Sequence, residues 1–138
     1  MSDGTALLAA QVAGCDLGYM GTKFIATDES MADARYKQML VDSQLDDVLL
    51  SRAFTGLETN TLIPSIVAAG LDPKALPDDM TEERAAALYG SGGETHIRRW
   101  RDIWSAGHSV SGVRSQGSVA ALVKKTENEY QTAIKESL

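Results

Sequence analysis

Apolar and polar positions change period several times along this chain, and each change marks an element. Residues 5–13 are rich in Ala and Leu behind Asp3 and Thr5, either of which can cap a helix, and Gly14 is placed to end it. An alternating apolar run from Leu17 to Met20 then predicts a short buried strand that stops at Gly21-Thr22. Helix, glycine and strand form the αβ half of a parallel α/β repeat. The polar cluster Thr27-Asp28-Glu29-Ser30 suits the start of a second helix, with Ala32, Tyr36, Met39 and Leu40 on its packing face.

A short strand is expected at Asp46–Ser51, closed by Thr55-Gly56. Leu62–Gly70 reads as a helix with Pro64 in its first turn and Gly70 at its stop. Residues 71–80, with Pro73 and Pro77, are a connection, and Thr81–Tyr89 is a helix opened by Thr81 and broken at Ser91-Gly92-Gly93. Ile97–Trp104 is expected to be helical, with Trp100 and Trp104 four apart on one face. Residues 105–118 are loop-like. The clearest helix is the last, where Val119, Leu122, Val123, Thr126, Tyr130 and Ala133 recur at helical spacing.

Size changes the picture. The 138 residues suffice for one ordinary domain, but a complete (β/α)8 barrel needs about 250. The formal net charge is -6, and the one basic cluster, Arg98-Arg99-Trp100-Arg101, reads as a helix face with solvated ends, so nucleic acid is not an expected partner. A single cysteine, Cys15, excludes an intrachain disulfide, and His96 and His108 lie too far apart to suggest a metal site. Neither a signal peptide nor a membrane span is expected, so the chain reads as cytoplasmic.

The densest chemistry lies in Gly14–Thr27. Glycine lets a backbone approach an anion without a Cβ in the way, and successive N–H groups with the Thr22 hydroxyl can surround phosphate oxygens. An ordinary strand end with a turn glycine fits the same spacing. Resemblance separates the two. Ala10-Gln11-Val12-Ala13-Gly14-Cys15-Asp16-Leu17-Gly18-Tyr19-Met20-Gly21-Thr22-Lys23-Phe24 resembles the run Ala-Gln-x-x-Gly-Ala-Asp-x-x-x-Met-Gly-Thr-Arg-Phe of the nitronate monooxygenases, formerly 2-nitropropane dioxygenases. Cys15 stands for alanine and Lys23 for arginine. The likeness continues in family order through Tyr36-Lys37-Gln38, Phe54-Thr55-Gly56, Pro64-Ser65-Ile66 and Asp102–Gly107.

The resemblance implies an α/β fold, the C-terminal segment of a (β/α)8 TIM-barrel flavoenzyme with its helix-rich second domain. Residues 1–29 would be the last helix–strand unit with the phosphate loop, 30–117 the second domain and return loop, and 118–138 a helix returning to the barrel. About seven barrel strands would lie upstream. The implied cofactor is FMN, with Met20, Gly21 and Thr22 in the strand-eight half of its phosphate pocket. The implied reaction is oxidation of alkyl nitronates with O2 to a carbonyl compound and nitrite. The family's catalytic histidine lies upstream of this segment, so no catalytic residue is carried over. His108 replaces a glutamine in the family's Ala-Gly-Gln loop and is a candidate for flavin or substrate proximity, against the plainer reading of a loop histidine meeting backbone or water.

Other candidates read as structure: Trp100, Trp104, Tyr36, Met39 and Leu40 as packing, Cys15 as an inert buried thiol, Phe54-Thr55-Gly56 as a strand-to-turn transition. Two alternatives remain open. One is a related flavin barrel of enoyl-reductase type; the other is a non-catalytic portion that self-associates or complements an N-terminal half.

Overall fold

The computed structural model describes residues 1–137, a mixed α/β chain that divides into two compact units, one of residues 1–42 with the chain from Ser109 onward, the other Ser43–His108. Each is built from short elements.

In the first unit, α1 (Gly4–Val12) begins at Asp3, whose Oδ1 accepts the Ala6 N–H at 2.7 Å. It ends at Ala13, with Gly14 in the left-handed region at φ +95° that glycine tolerates. Residues 15–20 follow without regular structure, and then come α2 (Gly21–Ile25) and α3 (Ala34–Asp42). The long α6 (Val119–Glu136) packs on α1. Gly4 is buried there because a Cβ would run into the backbone of Thr126 and Tyr130. The Gly4 N–H donates to Glu129 Oε2 at 3.0 Å, and the Tyr130 hydroxyl donates to Gln11 Oε1. The periodic face of α6 is half-buried as its spacing predicts, except Val123, which is exposed.

Two expectations fail in this unit. The strand Leu17–Met20 does not form. A strand needs a ladder partner, and the described residues place none beside it, so Leu17 and Tyr19 are 90% and 91% exposed. The cluster Thr27–Ser30 does not start a helix either. Asp28 donates its N–H to Gly117 O at 2.9 Å, and both Glu29 carboxylate oxygens accept the Val119 N–H, at 3.0 and 2.9 Å. Lys37 Nζ holds the same stretch through the Ser30 carbonyl at 2.8 Å. The cluster therefore caps α6, together with Ser118 Oγ, which accepts the Ala121 N–H at 3.1 Å.

The second unit carries β1 (Val48–Ser51) paired antiparallel with β2 (Thr59–Leu62), in the register Val48↔Leu62 to Ser51↔Thr59. One strand was expected here; the second is missing from the sequence reading because Thr59–Leu62 shows no apolar alternation. The turn between them needs Gly56, at φ +80°, where a Cβ would strike the backbone of Thr81 and Glu82. That contact gives Phe54-Thr55-Gly56 a purely structural reason. Next come α4 (Ile63–Ala68), with Pro64 in its first turn, and α5 (Glu82–Tyr89), capped by Thr81 Oγ1 on the Arg84 N–H at 3.3 Å. The core joins Phe54, Ile66, Met80, Ala85, Tyr89, Ile97 and Ile103, with the Phe54 and Tyr89 rings 5.3 Å apart and tilted. Ser65 Oγ donates to Leu62 O at 2.7 Å and accepts the buried Trp104 N–H at 3.0 Å, tying the later chain to β2.

Ile97–Trp104 is a tight turn rather than a helix. Asp102 Oδ2 accepts the Arg98 N–H at 2.8 Å, Trp100 N–H donates to Ile103 O, and Trp100 sits at φ +70°. Trp104 is buried while Trp100 is 61% exposed, so the two rings do not share a face. The Arg98 guanidinium turns inward onto the Gly93, Thr95 and Ile97 carbonyls instead of extending into water.

Replacing Glu29 with Ala removes the acceptor of the first α6 N–H. The expected cost is about 1 kcal/mol, as for loss of a helix cap, read as a lower denaturant midpoint with unchanged slope.

Candidate functional site

The segment expected to hold a ligand is fixed at both ends and open in the middle. Upstream, Gly14 N–H donates to Gln11 O at 2.9 Å and Cys15 N–H to Ala10 O at 3.0 Å, which anchors the exit from α1. Downstream, Thr27 Oγ1 donates to Phe24 O at 2.8 Å, Thr27 is bridged to Gly117, and Ala26 and Thr27 are buried. Between these anchors Met20 is extended, at φ −127° and ψ 86°, and α2 begins at Gly21. The expected loop is thus the first turn of a short helix.

Gly21 is exposed, and a Cβ built on it would meet only the Tyr19 ring, at 3.7 Å. Its backbone can therefore be approached from solvent. Thr22 is only 7% exposed, so its hydroxyl lies inside the unit and the accessible donor surface of this turn is backbone. The first N–H groups of a helix have no acceptor one turn back and suit an anion. Met20, Gly21 and Thr22 are contiguous in the first unit, whereas His108 belongs to the second, exposed at the start of a 3₁₀ turn over His108–Gly112.

Lys23 directly follows this turn. It is half-buried and lines a cleft with Arg114 and Lys125. Its ammonium is held below the ordinary lysine value of 10.5, first by burial and further by Lys125 and Arg114, with Glu129 and Asp3 opposing. Sequence periodicity could not find this cleft, because residues 114–118 show none. Cys15 is exposed rather than packed, for the same reason as Leu17: the strand that would bury it does not form here. Among the described residues no helix is long and apolar enough to cross a membrane.

The first unit thus presents an open glycine turn leading into a short helix. The sequence matches the nitronate monooxygenase family over residues 1–129, and the chain belongs to that family of oxidoreductases. A probable nitronate monooxygenase of Staphylococcus haemolyticus (strain JCSC1435) is 26% identical over 109 residues, which are 75% of this chain and 29% of the relative. A nitroalkane oxidase from Streptomyces ansochromogenes superposes over 100% of this chain and 39% of its own, at 24% identity and a TM-score of 0.71. FabK from Thermotoga maritima superposes over 99% of this chain and 43% of its own, at 21% identity and a TM-score of 0.70. The two solved structures show that the fold is shared. The chain spans well under half the length of each relative.

The depressed Lys23 ammonium fixes a sign. Between its lowered native value and 10.5 the unfolded chain binds more protons than the folded one, so stability rises with pH across that window. The difference in unfolding free energy between the parent and Lys23→Met, followed from neutral pH upward, should show the parent gaining relative to the variant.

Proposed function

We propose that this chain supplies the C-terminal part of an FMN-dependent nitronate monooxygenase, with the turn Met20-Gly21-Thr22 as half of the flavin phosphate site. The observation that carries the reading is the family match over residues 1–129. The exposed, unobstructed Gly21 backbone at the start of α2 fits a phosphate, since it admits oxygens to N–H groups that a side chain would otherwise cover. Thr22, packed inside, holds the turn in place rather than displaying its hydroxyl. Bound flavin would supply the electron chemistry that oxidises an alkyl nitronate with O2 to a carbonyl compound and nitrite. This chain's part is to position: Gly14 and Thr27 clamp the turn, and Gly21 offers its backbone to the phosphate. His108, exposed at the start of its 3₁₀ turn, is proposed for contact with flavin or substrate on the strength of its position in the family's Ala-Gly-Gln loop.

A specific observation supports the accompanying reading that the segment before Gly21 is completed from outside these residues. Leu17 and Tyr19 are almost fully exposed, on a stretch whose apolar alternation belongs to a strand. In the (β/α)8 arrangement this stretch is the last barrel strand, and a neighbouring strand from an upstream portion, or from a second copy, would bury it. The alternative of a related flavin barrel finds support only in the fold shared with FabK, which says nothing of substrate.

Flavin absorbance retained after the chain is mixed with FMN and desalted checks the cofactor assignment. Gly21→Val should lower FMN affinity about tenfold, the worth of one charge-assisted hydrogen bond, with an unchanged circular dichroism spectrum. Equal FMN retention by parent and variant would remove Gly21 from the site. In the full-length protein, His108→Ala should lower kcat/KM for the nitronate; an unchanged value would remove His108 from the site.

A further inference from the structure

The unit that contains the chain's two ends holds a cleft of about 120 Å³, lined by the end of α2, by residues 112–118 and by the first turns of α6. Three of its lining side chains are cations, Lys23, Arg114 and Lys125, and none is an acid. In a chain of formal charge -6 this concentration runs against the average. A concave wall bearing charge of one sign focuses its field and favours a counter-ion.

The cations are incompletely matched within the protein. Lys125 Nζ is 4.0 Å from Glu129 Oε1, but Lys23 and Arg114 make no hydrogen bond or ion pair with the described residues. The carboxylates that act on Lys23 from a distance are engaged elsewhere: Glu129 takes the Gly4 N–H, and Asp3 takes the Ala6 N–H. Holding an ammonium half out of water without a partner is costly unless an anion arrives to complete it. Ser118 adds a hydroxyl that accepts the Ala121 N–H and still has its own proton to donate.

We infer that this cleft binds a small tetrahedral oxyanion, a phosphate or the phosphate end of a phosphomonoester, between Lys23 and Arg114 with Lys125 at the rim. The site is separate from the Gly21 turn, which does not line the cleft. It uses side-chain charge, whereas the turn offers backbone N–H groups. An arginine beside a lysine suits such a ligand, because the planar guanidinium can take two oxygens at once while the ammonium follows as a point charge.

Inorganic phosphate titrated into this chain, followed by amide NMR shifts and calorimetry, tests the assignment. Saturable shifts are expected at Ala26-Thr27 and Ser115–Ser118. Lys23→Met and Arg114→Gln should each weaken binding about tenfold, and Lys135→Gln, at the far end of α6, should not change it. Circular dichroism of each variant confirms that the fold persists, and both replaced side chains reach solvent. Displacement of bound phosphate by glycerol phosphate would assign the site to an esterified phosphate, and persistence would assign it to the free ion; both outcomes keep the anion site. Absence of saturable shifts in the cleft, shifts confined to Gly21-Thr22, or binding indifferent to both charge removals would overturn it.

Discussion

A single carboxylate joins parts of the chain 90 residues apart. Glu29 accepts the first N–H of α6 with both oxygens, while the neighbouring Asp28 N–H bonds to Gly117 O. Without this strap the first N–H of α6 would be left to water, and the stretch after α2 would keep only its tie to Lys37. Because the far half of α6 packs on α1, one capping interaction helps set the register of both helices and of the turn between them. The open Gly21 backbone and the cationic cleft both lie on segments positioned by this strap.

What was legible in the sequence follows the range of the interaction that decides each element. The helices α1, α4 and α5 are announced by residues that act within one turn, Asp3, Pro64 and Thr81 at their starts, with Gly14 and Gly70 past the ends of two of them, and α6 by the helical spacing of its apolar face. Elements that depend on a distant partner were misread. Residues 17–20 alternate as a strand should, yet a strand exists only with a neighbour to bond. β2 is the converse case, a polar stretch made into a strand by pairing with β1. The Ile97–Trp104 stretch is a local exception: its tryptophans have helical spacing, but the Asp102 carboxylate, four residues on, captures the Arg98 N–H and closes a turn instead.

The candidate site divides along the same line. Met20-Gly21-Thr22 was found from a motif, and the structure adds which atoms of it are accessible: backbone at Gly21, not the hydroxyl of Thr22. The cleft of Lys23, Arg114 and Lys125 had no sequence signal, since its members come from three separate segments and only folding brings them together. The motif therefore accounts for one of the two proposed anion sites, and geometry alone for the other.

The placement of the two tryptophans makes the chain's own fluorescence selective. Both belong to the unit of residues 43–108. Within that unit the two rings meet different surroundings: buried Trp104 would emit as from an apolar solvent, and exposed Trp100 on its left-handed turn as from water. A soluble quencher would extinguish the second ring first, leaving a signal that reports on the core of that unit alone.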